Sequence, residues 1–121
     1  MTQIVSDQSG RLYALGTHQA VLFASVSASS SGNNTLVAAT AGSKIRVLNV
    51  VLIAASAVTV AFQSGAGGTA LTGTMSLAAN GGFAPGYDPH GHFETAAGSL
   101  LNLSLGSAVQ VSGWIKYILV A

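Results

Sequence analysis

Hydrophobic and polar positions alternate with a period of two along most of this chain, and that period belongs to strands rather than helices. From Gln19 to Ser27, Val21, Phe23 and Ser25 alternate with Leu22, Ala24 and Val26, which predicts a first core strand. SASSSGNN at 27–34 is a loop by composition, and a short strand is expected over Thr35–Thr40. The longest apolar run, KIRVLNVVLIAASAVTVAFQ at 44–63, carries no charge from Val47 to Phe62. It is too short and too interrupted for a membrane helix, because Arg46, Asn49, Ser56 and Thr59 fall inside or beside it. Its β-branched residues suit a pleated surface. The run therefore predicts a buried hairpin. Its first strand places Ile45, Val47, Val51 and Ile53 on one face and Leu48, Val50 and Leu52 on the other; after Ala54–Ala57, a half-buried partner strand follows.

Further strands are expected over Leu71–Ala79, Ser99–Leu105 and Val109–Val120. In the last, Val109, Val111, Ile115, Tyr117 and Leu119 share one side, Trp114, Lys116 and Ile118 the other, and Gly113 marks a candidate bulge. The segment NGGFAPGYDPHGHFET at 80–95 holds both prolines and predicts a long loop with short extended pieces. Strands joined by Gly- and Ser-rich turns, with no helical period, predict an all-β, single-domain antiparallel β-sandwich. A jelly roll is the first topology expected and an immunoglobulin-like Greek key the alternative. The domain spans 19–121, preceded by an extended N-terminal arm at 1–18.

Composition changes the picture in one respect. Only 6% of the 121 residues are charged while 50% are hydrophobic, whereas a soluble surface typically carries ~25–35% charged residues. Part of the exterior is thus expected to stand against other chains, and a homo-oligomer is expected. A formal net charge of +1, with Arg11, Lys44, Arg46 and Lys116 scattered along the chain, argues against nucleic acid as a partner. There is no cysteine for disulfides or thiolate metal sites. The start, MTQIVSDQSG, has no basic segment followed by an apolar one, so synthesis in a cytoplasm is expected, without a membrane partner.

Candidate chemistry is sparse. Asp88, His90, His92 and Glu94 fall at every second position, which in an extended chain puts imidazoles and carboxylates on one face, as zinc, nickel or iron would require. Pro89 and Gly91 break that geometry, so a solvated polar loop is expected, with His90 and His92 the only candidate ligands and no cofactor. The carboxylates are Asp7, Asp88 and Glu94; no serine lies in a nucleophile elbow, His18 has no acid–base partner, and the Gly-rich run at 64–68 lacks the Lys-Ser/Thr of a phosphate loop. No enzymatic activity is expected. The candidate contact residues are Tyr13, Arg46, Phe83, Tyr87, Phe93 and Trp114, and the aromatics among them, with Tyr117, could alternatively form a sugar-binding platform.

The stretches TLVAATAGSKIRVLNVVL (35–52), VTVAFQSG (58–65), ALTGTMSLA (70–78), GHFETAAGSLLNLSL (91–105) and VSGWIKY (111–117) give the chain a look that resembles small bacteriophage virion proteins of the cement or decoration type. The resemblance implies a trimer bound to the major capsid protein on the outside of the shell, made in a host bacterial cytoplasm and carried on the virion. It transfers no catalytic residue. Similar modules occur in fibres and tail tips, which leaves host-surface carbohydrate as the alternative ligand.

Overall fold

In a computed structural model, residues 20–121 are described in full; of the residues before them only the backbone of two short strands, β1 (Ile4–Ser6) and β2 (Leu12–Ala14), is described. These pair antiparallel with Val5 opposite Tyr13. The rest of the expected arm, and the side chain of Tyr13, lie outside the described residues.

The described residues are all-β. The remaining strands, in order, are β3 (Leu22–Ala28), β4 (Gly32–Val37), β5 (Lys44–Ala54), β6 (Val58–Ser64), β7 (Thr69–Ala70), β8 (Met75–Leu77), β9 (Gly82–Phe83), β10 (Phe93–Glu94), β11 (Leu101–Leu105) and β12 (Val111–Val120). They form two five-stranded antiparallel sheets. The first runs β10-β5-β12-β3, with β9 also on β5; the second runs β4-β11-β6-β7, with β8 also on β6. Between them lies one apolar layer, built from inward residues of both sheets: Ile45, Val47, Val50, Leu52, Val60, Phe62, Leu101, Leu103, Val111 and Ile115 are wholly buried. This is a β-sandwich.

Two expectations about the apolar run are corrected. β5 and β6 are not a hairpin, because β5 lies in the first sheet and β6 in the second, so Ala55–Ala57 carries the chain across the core. Nor does β5 keep one facing along its length. Tyr117 stands opposite Val47 and Lys116 opposite Asn49, leaving Leu48 as an extra residue in a bulge. Before it the odd residues Ile45 and Val47 point inward; after it the even residues Val50, Leu52 and Ala54 do. The bulge therefore sits here and not at Gly113. That glycine serves a close approach instead: a Cβ on it would run into the Val51 carbonyl oxygen.

The segment 80–95 is irregular, as expected, but it is tied down along its length as a broken edge strand of β5. Besides β9 and β10, the amides of Asp88, His92 and Thr95 donate to the carbonyls of Leu48 (2.9 Å), Val47 (2.7 Å) and Ile45 (3.0 Å). The Ile45 amide returns a bond to the Thr95 hydroxyl (3.0 Å), which satisfies both groups inside the structure.

On the outer side of the second sheet, Asn102 is wholly buried. Its amide nitrogen donates to Asn33 Oδ1 (3.0 Å) and Gln63 Oε1 (2.8 Å), and its oxygen accepts the Asn34 amide (2.9 Å). Asn33 Oδ1 also accepts the amide of Gly67 (3.0 Å). One side chain thus joins β4, β11 and β6, and through Asn33 the turn after β6.

Candidate functional site

Residues directly opposite in an antiparallel pair share a face, so the registers of β3, β12 and β5 define what the outside of the first sheet carries. Phe23, Lys116 and Asn49 form one row; Ser25, Trp114 and Val51 the next; Ser27, Ser112 and Ile53 a third. Towards the other end, Ile118 stands beside Arg46, and Arg46 beside Glu94. This face is not shielded in the usual way. Phe23 is 70% exposed, Ile53 51% and Trp114 41%, and Val21, just before β3, is also exposed. Large apolar side chains left in water on one face make that face the candidate contact surface.

The broken edge strand adds Tyr87 to the same face. The Lys116 ammonium lies 5.4 Å from the centre of the Tyr87 ring and 5.5 Å from that of Phe23, so one cation bridges two exposed aromatic rings. Arg46 is tied to Glu94 by a single 3.4 Å contact between partly exposed groups, worth little in water. The loop approaches the Arg46 stem closely at Gly91, whose φ of +88° favours glycine and whose Cβ would meet the Arg46 side chain. Beside Trp114 a shallow hollow of about 230 Å³ is lined by Val51, Leu52, Ile53, Gly82, Phe83 and Ala84. At the serine end, the Gln110 amide nitrogen donates to Ser27 Oγ (3.1 Å) and Ser112 Oγ (3.0 Å).

The candidate contact residues divide. Arg46, Tyr87 and Trp114 belong to this outer side. Phe83 and Phe93 turn inward with their partners Leu52 and Val47 and pack against the core, as does Tyr117; Phe93 meets the ring of Phe62 at 4.8 Å. These three do not join the exposed platform. Sequence reasoning missed Phe23, the most exposed large apolar residue among the described residues. Its signal was present: its face-mates Ser25 and Ser27 are polar, while Leu22, Ala24 and Val26 are not.

The alternating polar residues of the loop diverge. The Asp88 carboxylate accepts the His90 amide (2.9 Å), with the His90 ring 3.6 Å away in solvent. The His92 ring is bonded to the Gly86 carbonyl (2.6 Å), and Glu94 goes to Arg46. Among the described residues no three His, Cys, Asp or Glu side chains gather to hold a metal ion.

The chain was compared with family models, curated proteins and solved structures, and no match was found. What the geometry defines is a charge-poor β-sandwich with one sheet face left aromatic and open.

Proposed function

We propose that this chain is a non-enzymatic structural protein of a bacteriophage particle, a cement or decoration protein that binds the outer capsid surface and stabilises the shell. The observation that supports this reading is the open outer face of the first sheet, where Phe23, Trp114, Tyr87 and Ile53 stand in solvent on a chain with 6% charged residues. Such a face loses free energy when covered. At ~25 cal/mol per Å², each ~100 Å² of apolar area removed from water contributes about 2.5 kcal/mol before ordering costs. Many copies on one shell multiply the effect by avidity. Low charge also keeps such contacts insensitive to salt. The resemblance implies a trimer, with the major capsid protein as partner and the virion as location.

Cryo-electron microscopy of particles with and without the protein tests the proposal, together with their resistance to heat. The expected result is density on the shell and a lower temperature of shell opening once the protein is removed. Unchanged heat resistance would count against it.

A second reading has its own observation. Tyr87 and Trp114, on one exposed face with Asn49 and Lys116 beside them, have the aromatic and polar groups that stack on and hydrogen-bond to sugars. In this reading the chain is a fibre or tail-tip module for host-surface carbohydrate. A glycan array with the wild type and Tyr87→Ala separates the two, because binding lost in the variant favours the sugar.

A further inference from the structure

The two sides of the sandwich are finished differently. On one side the edges are broken or minimal. The first sheet ends in β9 and β10, two residues each, interrupted by Pro85 and Pro89; the second ends in β7 and β8, two and three residues long. Short strands and prolines are the means by which sheets prevent other chains from pairing with them. On the other side stand β3, seven residues, and β4, six, and neither contains a charge or a proline. Among the described residues no strand pairs with the outer edge of β3.

The sequence of β3, LFASVSA, complements itself when reversed. Only antiparallel pairing about Ser25 matches all seven residues with those of a second copy. In that register Leu22 faces Ala28, Phe23 faces Ser27 and Ala24 faces Val26, with Ser25 opposite Ser25. Every large side chain meets a small one on both faces, and no charge is brought against another. On its inner edge β3 follows this rule over part of its length, where Ser25 faces Trp114, Ala24 faces Ile115 and Val26 faces Gly113, whereas Phe23 and Leu22 there face the long side chains of Lys116 and Tyr117.

The geometry points to a twofold contact between copies of this chain, β3 against β3 about Ser25, which continues the first sheet from one protomer into the next. Backbone hydrogen bonds along the edge supply attraction and the alternation of large and small residues supplies register. The contact is isologous and closes at two copies. It also brings the Phe23 and Trp114 patches of both copies onto one continuous sheet face, so the surface described above doubles in width. This inference does not depend on what that surface binds, and it gives a dimer in place of the trimer that the resemblance implies.

The absence of native cysteine allows a direct test on the full chain. Opposed residues in an antiparallel pair have Cα atoms ~4.5–5.5 Å apart, inside the ~4.4–6.8 Å range of disulfides. Ser25→Cys should form a covalent dimer on mild oxidation. Ser27→Cys, equally exposed on the same face, should not, since its two copies would stand about 13 Å apart. Light scattering should give twice the 12.0 kDa chain mass for the wild type. It should give one chain mass for Ser25→Lys, which sets two ammonium groups face to face, with its unfolding transition still cooperative. A monomeric wild type, cross-linking of Ser27→Cys as readily as Ser25→Cys, or a trimer whose mass Ser25→Lys leaves unchanged would each overturn the edge contact. The trimer would do so without touching the particle-binding proposal, which the shell experiments decide separately.

Discussion

Phe62 of β6 and Phe93 of β10 meet across the sandwich, ring centres 4.8 Å apart and planes inclined at 38°. The pair ties the broken edge strand of the first sheet to the middle of the second. Phe62 is wholly buried, and Phe93 is partly buried against the same core. Truncating a buried Phe removes its transfer free energy and leaves a cavity, costing about 3–5 kcal/mol. Phe62→Ala is expected in that range and Phe93→Ala at or below its lower end. Urea unfolding followed by tryptophan fluorescence measures both. If Phe93→Ala left stability unchanged, the 80–95 segment would not be anchored as described.

The exposed aromatics should behave in the opposite way. Phe23→Ser changes surface that folding leaves mostly in water and is expected to shift stability by no more than about 1 kcal/mol, whereas Trp114→Ala, at a side chain 41% exposed, also loses packing and is expected to cost about 1–3 kcal/mol. Both should sharply reduce binding to the particle surface. Co-sedimentation of variants with stripped particles, beside unfolding curves of the same samples, checks this. Loss of stability matching loss of binding would show these residues to be structural.

These two outcomes mark what could be read from the residues alone. The long core strands and most of their facings were legible, because period-two alternation is local; β4 was not, since it runs Gly32–Val37 and takes in the end of the expected 27–34 loop, and of the strand expected over 71–79 only Met75–Leu77 forms. β3, β11 and the whole of β12, from Val111 and Ile115 inward to Trp114 and Lys116 outward, follow it. The assignment of strands to sheets was not legible. A small-residue connection such as Ala55–Ala57 suits a hairpin turn and a crossing between sheets equally, and only the non-local pairing of β5 with β12 decides. The bulge at Leu48 was hidden for a related reason: β5 is apolar on both sides, so a change of facing leaves no trace in its pattern. For the site, Tyr87 and Trp114 were found by residue type, but type also selected Phe83 and Phe93, which only register places inside.

Asn102 provides a third prediction. Its amide is buried with three partners: the Asn33 and Gln63 side chains and the Asn34 amide. Asn102→Ala strands those groups away from water, and an unsatisfied buried polar group costs about 1–3 kcal/mol. Asn102→Asp should be worse at neutral pH, because a carboxylate cannot donate to the two side-chain oxygens that now receive the Asn102 NH₂ group. Equilibrium unfolding should rank the wild type above Asn102→Ala, and Asn102→Ala above Asn102→Asp. The reverse order of the two variants would mean that the network is not wired as described.

The bulge provides the fourth. Deleting a residue from a strand normally turns every following side chain to the other face, which for a strand buried on one side is ruinous. β5 contains one position where this does not hold. With Leu48 removed, Val47 is followed by Asn49 and Val50, and the inward set becomes Ile45, Val47, Val50, Leu52 and Ala54 in unbroken alternation opposite β12. The cost is the buried Leu48 side chain and the bond its carbonyl accepts from Asp88, together about 3–5 kcal/mol. Deletion of Val51, three positions on and only partly buried, would turn Leu52 and Ala54 outward. The expected outcome is a folded but weakened protein without Leu48 and no cooperative unfolding transition without Val51. Near-ultraviolet circular dichroism and thermal melts of the two deletions distinguish these. Equal tolerance of both would mean that the facing of β5 is not set by the extra residue at position 48.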